Sequence, residues 1–400
     1  MLTLDKIYHA QYVLKSAVRE TDIIHSHVLS SFYGCDIYLK PENLQRTGSF
    51  KVRGAYYKIS QLSDEEKAKG VIACSAGNHA QGVAIASTKF GINAKICMPE
   101  GAPISKVEAT KGYGAEVILV PGVYDDAHHE AERLRLENGY TFIHPFNDED
   151  VIAGQGTVGL EIMNQLSDVD IVVVPIGGGG LVAGVAYAIK SLNPNIKVYG
   201  VQAEGAASMV NSFHDGKIET LPSVSTIADG IAVKEPGNLT FELCSKYVDD
   251  IISVSDDEIS TAILTLIEKQ KMIAEGAGAV SLAAVLFNKI PNLKGKKVCC
   301  VISGGNIDVT ILSKVINRGL VKTGRLVNLT MELLDKPGQL VDVVSIITSC
   351  GANVNSVSQE RANDGSNIND CYLRLSLETR NFEHIKTIKN ELKSHGYKLL

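Results

Sequence analysis

The sequence has no stretch of 18 consecutive apolar residues; its apolar runs are short, with residues 171–176 (Ile-Val-Val-Val-Pro-Ile) among the longest. That excludes a helical membrane span. The first 22 residues scatter charges and hold no apolar block, so a signal peptide is not expected and a cytoplasmic location is. A basic surplus is also missing: Lys plus Arg is 39 against 45 Asp plus Glu, a net charge of −6. A general nucleic-acid or anionic-membrane binder is therefore not expected. The eight cysteines (35, 74, 97, 244, 299, 300, 350 and 371) form no CxxC and no metal-type spacing, which suits reduced, partly buried thiols. There is no simple repeat and no low-complexity tract. What is present is an ordinary globular balance, 45% hydrophobic and 21% charged over 400 residues. That length suits two or three domains and a core that needs no covalent staples. Glycine alone is in excess, 36 residues where about 7% of a chain is usual. Glycine serves where a backbone turns tightly or approaches a ligand, so its positions matter.

Residues 37–325 alternate strand-like and helix-like segments. Short β-rich runs at 71–74, 94–98, 116–120, 171–176 and 197–201 are separated by helical stretches such as 79–90, 127–138 and 179–192. Continuous apolar strands between helices predict parallel sheets covered on both faces, here in two layers facing a cleft. From about 321 the pattern changes. Residues 317–325 read as a connection. Strand 326–334, helix 339–349, strand 353–361, a polar loop at 363–369, strand 371–378, helix 382–395 and strand 396–400 follow. That is βαββαβ, the ferredoxin-like order.

Four segments carry chemistry. In Pro41-Glu-Asn-Leu-Gln-Arg-Thr-Gly-Ser-Phe-Lys51 a lysine follows a turn and opens a helix, which Ser49 or Thr47 can cap. The helix dipole disfavours a cation there. Lys51 is either a plain surface lysine or a desolvated amine of lowered pKa that forms a Schiff base. The second segment, Cys74-Ser-Ala-Gly-Asn-His-Ala-Gln-Gly82, passes from strand to helix, and its free N–H groups suit a carboxylate or phosphate. His79 is a candidate general base there, or a structural histidine. The third, Pro175-Ile-Gly-Gly-Gly-Gly-Leu181, lets several N–H groups converge on one phosphate. No acidic residue ends a strand about 20 residues on, where a ribose partner belongs; Glu204 lies 24 residues past Gly180. A phosphate monoester fits better than a nicotinamide dinucleotide. The fourth, Ser303-Gly-Gly-Asn306, is another glycine turn after a strand. Together these turns predict one cleft holding a phosphorylated cofactor.

Ser49-Phe-Lys51, Ser75-Ala-Gly-Asn-His-Ala-Gln-Gly82, Gly177-Gly-Gly-Gly-Leu181 and Ser303-Gly-Gly-Asn306 stand in the order and spacing of a known group. The chain resembles the pyridoxal 5'-phosphate (PLP) enzymes of the tryptophan-synthase-β group, fold type II, and within it the threonine/serine dehydratases. Pro41 to Ala55 and Thr226-Ile-Ala-Asp-Gly-Ile-Ala-Val233 strengthen the likeness. The resemblance implies two open twisted-sheet lobes, the smaller at about 50–145 inserted in the larger, within a catalytic unit of residues 1–320. Residues 321–326 would be a linker. Residues 327–400, with Asp335-Lys-Pro-Gly-Gln-Leu340, resemble an ACT regulatory domain.

By the same resemblance Lys51 would hold PLP as a Schiff base and Asn78 would bind the ring hydroxyl. Gly177, Gly178, Gly179, Gly180 and Leu181 would bind the phosphate, and Ser303 would face the ring nitrogen. Ser75, Ala76, Gly77, Asn78 and His79 would bind the substrate carboxylate, with Phe146 and Gly230 lining the pocket. A hydroxyl at the ring nitrogen, unlike a carboxylate, does not stabilise a pyridinium, so the ring is a moderate electron sink. Lys51 would take the α-proton and the cofactor phosphate would protonate the departing hydroxide. L-threonine would yield 2-oxobutanoate and ammonia, and L-serine pyruvate.

Serine racemases share these motifs but carry a second serine where this chain has Ala76, so racemisation is expected to be poor. The divalent-metal pattern of such relatives would fall on Glu204, Ser208 and Val210; Val210 cannot ligate, and no metal is expected. A PLP-binding amino-acid sensor without turnover is the reading from another class, and the unbroken motifs oppose it. The ACT likeness implies allosteric control by isoleucine or valine at Asp335, Gly338, Gln339 and Leu340, and a role in isoleucine biosynthesis. AMP at Arg46, Thr47 and Gln81 is the alternative, with a catabolic role. A homodimer or homotetramer is implied.

Overall fold

The fold is taken from a computed structural model that describes residues 1–361 and 370–400. The expected polar loop at 363–369 lies outside the described residues. The chain forms two compact units, Met1–Ile311 and Leu312–Leu400. The division falls inside the helix Val309–Lys322, earlier than the expected linker at 321–326. Residues 321 and 322 end that helix, and the next strand starts at Leu326, so only 323–325 connect.

The first unit holds ten strands: β1 (Ile24–His25), β2 (Asp36–Pro41), β3 (Val71–Cys74), β4 (Ala94–Pro99), β5 (Glu116–Val120), β6 (Thr141–Phe142), β7 (Ile171–Pro175), β8 (Lys197–Ala203), β9 (Asp250–Val254) and β10 (Lys297–Ile302). They build two sheets, of order β1-β2-β10-β7-β8-β9 and β5-β4-β3-β6. Only the β1–β2 pair is antiparallel. β3 and β7 are buried along their whole length, as strands covered on both faces must be, and that is why they read as unbroken apolar runs. Each sheet has its own core. Val172, Val174, Val182 and Val301 belong to that of the larger sheet, and Val71, Ala73, Val83 and Ile96 to that of the smaller.

The helix Lys51–Ser60 is anchored by a buried ionic cluster. Arg53, two residues past Lys51, is fully buried. It donates from Nε and Nη2 to Glu42 (2.8 Å each) and from Nη1 and Nη2 to Glu161 (2.6 and 2.9 Å). Lys40, also fully buried, donates to Glu161 Oε2 at 2.6 Å, and Thr21 Oγ1 donates to Glu42 at 2.9 Å. Two cations and two carboxylates thus compensate each other by direct contact, tying the helix to the end of β2 and to the helix Glu149–Gln165.

The second unit contains β11 (Leu326–Leu334), β12 (Asn353–Arg361), β13 (Asp370–Glu378) and β14 (Lys398–Leu399) in the antiparallel order β12-β13-β11-β14. With the helices Gln339–Ser349 and Phe382–Ser394 this is a ferredoxin-like fold. The period-2 alternation puts Leu329, Met331, Leu373 and Leu375 on one face, packed with Val343, Ile347, Ile388 and Leu392 from the helices.

Candidate active site

Three glycine-bearing turns leave the C-terminal ends of β3, β7 and β10, the edge at which α/β sheets take ligands. Backbone pairing binds the Lys51 turn to the last of them. Phe50 N–H donates to Ser303 O (3.1 Å), Gly305 N–H donates to Gly48 O (2.9 Å), and Ser49 bridges Gly304. Gly48 takes a left-handed φ of +71°, and a Cβ there would overlap the Asn306 amide. The expected side-chain cap is absent. Phe50 occupies the cap position of the helix, Ser49 Oγ has no hydrogen-bond partner, and Thr47 Oγ1 donates only to Ser49 O at 3.5 Å. Pairing Ser49 with Gly304 takes it away from the helix end.

The motifs surround one cavity of about 760 Å³. Its lining includes Lys51, Ser75, Ala76, Gly77, Asn78, His79, Phe146, Gly177, Gly178, Gly179, Gly180, Leu181, Gly230, Glu275 and Ser303. Lys51 Nζ donates to Pro145 O at 2.7 Å. Its surroundings pull its pKa down to about 8, because burial penalises the ammonium more than the nearby Glu275 carboxylate supports it. Of the two readings of Lys51, the structure thus has the desolvated amine facing a cavity.

His79 is buried, with Nε2 2.8 Å from Ile143 O. Burial first, then the charge of Lys51, pushes it down to about 3, so it stays neutral. Its Nε2 is thus engaged with the backbone, while its Nδ1 has no hydrogen-bond partner among the described residues. His144, which also lines the cavity, is pushed to about 4 for the same reasons.

The glycine run is shaped for close approach. Gly179 has φ +98° and caps the helix Gly180–Leu192, where N–H groups of the first turn have no intrahelical acceptor. A Cβ on Gly178 would overlap the Phe146 ring. Thr240 Oγ1 donates to Gly178 O at 2.6 Å and fixes the loop from behind. Ser303, almost fully buried, donates from Oγ to Ala277 O at 3.3 Å.

Glu275 lines the same cavity and belongs to none of the four motifs. Glu275 is 3% exposed, and burial with the charge of Asp229 pushes its carboxyl up to about 7. It precedes the helix Gly276–Leu286, where Ala274-Glu-Gly-Ala-Gly-Ala279 is the signal in sequence: an acid set among small residues before a helix. Two ion pairs connect elements of the smaller-sheet region with the loop at 229–234, Lys106 to Asp229 (2.6 Å) and Lys234 to Asp125 (2.9 Å), all four residues lining the cavity.

Other expected residues lie elsewhere. Arg46 is exposed while Thr47 and Gln81 are buried, and none of the three lines the cavity. Asp335, Gly338, Gln339 and Leu340 form the turn after β11, where Gly338 has φ +96° and caps the next helix. Among the described residues no three His, Cys, Asp or Glu are grouped to hold a metal. Ser208 Oγ donates to Val233 O at 2.8 Å, and Glu204 begins a short 3-10 turn. No helix among the described residues is long and apolar enough to cross a membrane.

An amine of lowered pKa, a helix N-terminus stripped of side chains, a hydroxyl and an amide on one wall fit a phosphorylated aromatic aldehyde, and PLP is that compound. Residues 14–304 match the family described as pyridoxal-phosphate dependent enzyme. The chain is 52% identical over 399 residues to an L-threonine ammonia-lyase of Thermotoga maritima, covering 100% of this chain and 99% of that one. Among solved structures it is similar to the processed form of threonine deaminase isoform 2 from Solanum lycopersicum (TM-score 0.74, 40% identity, 78% of this chain and 93% of that one). It is also similar to maize serine racemase (TM-score 0.75, 38% identity, 80% of this chain and 98% of that one).

Proposed function

The chain belongs to the pyridoxal-phosphate-dependent enzyme family, and from that membership we propose its reaction: it is an L-threonine ammonia-lyase, converting L-threonine to 2-oxobutanoate and ammonia. One observation carries this reading. Lys51, Asn78, Ser303 and the loop 177–181 meet in one cavity, in a chain similar from end to end to an L-threonine ammonia-lyase.

PLP, when bound, supplies an electron sink for the substrate's α-carbon. The chain supplies the rest. Lys51 would hold the cofactor, and its amine, disfavoured as an ammonium by burial, would take the α-proton. N–H groups at the start of the helix Asn78–Phe90 hold the substrate carboxylate. Gly177 to Leu181 would hold the phosphate at a second helix start, and Ser303 would offer a neutral hydroxyl to the ring nitrogen. The α-proton and β-hydroxyl leave as water, and hydrolysis of the resulting enamine's imine form returns one water and releases ammonia. Burial and the nearby Lys51 charge hold His79 far below the usual imidazole range, which makes it a weak base, and its Nε2 faces Ile143 O. L-serine reacts by the same route to pyruvate.

Ala76 lines the cavity where a racemase of this family carries a serine. Ala76 offers no hydroxyl to reprotonate the α-carbon from that position, which favours elimination over racemisation. The βαββαβ unit serves as an ACT domain that binds isoleucine or valine at the turn Asp335 to Leu340, in a homodimer or homotetramer. AMP at Arg46, Thr47 and Gln81 is the competing effector site.

Pure protein given L-threonine is expected to release 2-oxobutanoate and ammonia in equal amounts. Absence of both, or efficient formation of D-serine from L-serine, overturns the assignment. An isoleucine response that survives removal of residues 327–400 overturns the regulatory reading.

A further inference from the structure

The cavity holds one buried carboxylate that no motif accounts for. Glu275 Oε1 accepts a 2.6 Å hydrogen bond from Asn78 Nδ2. On the other end of the same amide, Asn78 Oδ1 accepts from Asn306 Nδ2 at 2.7 Å, and Asn306 Nδ2 also donates to Thr47 O at 2.7 Å. Both N–H groups of Asn306 are therefore used. Asn78 has two N–H groups of its own, and only one goes to Glu275. The Asn306 amine can only donate, so the Asn78 oxygen must face it and the Asn78 Nδ2 must face Glu275, which accepts in its ionised form.

Glu275 is itself held tightly. Its backbone N–H donates to Gly304 O at 3.1 Å, and a Cβ on Gly304 would overlap its carboxylate. A Cβ on Gly230 would stand 3.5 Å from Oε1 on another side. The carboxylate thus lies close against the Gly304 backbone, and the amide is bonded at both ends.

We infer that Glu275 is a positioning residue: with Asn306 it clamps the Asn78 amide so that the remaining Nδ2 hydrogen is presented to the cofactor. The inference rests on the reading that this cavity holds PLP. Glu275 acts through Asn78 and not on the substrate.

The test uses holoenzyme and two readouts, the visible absorption band of the bound cofactor and the PLP dissociation constant. Asn78→Ala is expected to weaken PLP binding about tenfold and to change the band, the effect of losing one hydrogen bond to a charged group. Glu275→Ala is expected to reproduce both changes. Glu275→Gln keeps an acceptor oxygen in place and is expected to remain within about threefold of wild type. The double variant Asn78→Ala/Glu275→Ala should be no weaker than Asn78→Ala alone, because Glu275 has nothing left to position. A wild-type band and affinity in Glu275→Ala, or losses that multiply in the double variant, overturn the inference. If Glu275→Ala does not fold, Asn306→Ala removes the other clamp. It must then show the spectral change of Asn78→Ala, and a wild-type spectrum there refutes the proposal. A wild-type protein with no visible band would instead overturn the cofactor reading.

Discussion

Lys51 gives the prediction whose size follows most directly from the site. An ordinary lysine has a pKa of 10.5, and this one is lowered to about 8. At pH 7.5 an amine of pKa 8 is neutral in about one molecule in four, whereas one of pKa 10.5 is neutral in about one in a thousand. Only the neutral amine attacks an aldehyde. The protein stripped of its cofactor should therefore capture added PLP about 200-fold faster at pH 7.5 than an ordinary lysine would. The sign is fixed by burial, which disfavours the ammonium, so the proton is lost as pH rises through 8. The rate, followed by stopped-flow growth of visible absorbance, should climb tenfold per pH unit below about 7 and level off above about 9. Glu275 opposes burial, and its own carboxyl titrates at about 7, so its support is complete only above that pH. Glu275→Gln should move the midpoint lower. A rate that still climbs between pH 9 and 10.5 would refute the reasoning, since it would mean that Lys51 is an ordinary exposed amine.

Two further substitutions probe what holds the site. Arg53→Met leaves Glu42 and Glu161 buried with one cation, Lys40, between them, and should cost about 3–5 kcal/mol in urea unfolding; a loss below about 1 kcal/mol would show that the cluster does not anchor the Lys51 helix. Gly178→Ala drives a methyl into the Phe146 ring and should cost about 1–3 kcal/mol in the same assay while loosening PLP binding; unchanged stability and affinity would mean that the loop does not need its close approach.

Much of the framework is legible in the chain because local rules produce it. β3 and β7 read as unbroken apolar runs since both of their faces are buried, and β11 reads as an alternation since one face is. The glycine turns could be found because Gly48 and Gly179 answer a backbone requirement that is printed in the residue itself. What was not legible depends on distance along the chain. Glu161 lies 108 residues from Arg53, and Glu275 lies 197 from Asn78, so nothing local marks either as a partner. Ser49 looked like a helix cap until its pairing with Gly304 took it elsewhere. β9 (Asp250–Val254) gives only a weak apolar signal, because only Ile251 and Val254 are buried in it. His79 has two readings in sequence, and the Ile143 carbonyl 2.8 Å from its Nε2, 64 residues away along the chain, is a contact that no local pattern announces.

The account centres on a covalent bond between Lys51 and PLP in a threonine-cleaving site. Borohydride added to the pure holoenzyme, followed by peptide mapping, tests it most directly. The expected result is loss of the visible band, one pyridoxyl group per chain on Lys51, and loss of 2-oxobutanoate formation in proportion to the label. A label on another lysine, or a visible band that persists in Lys51→Ala, would contradict it.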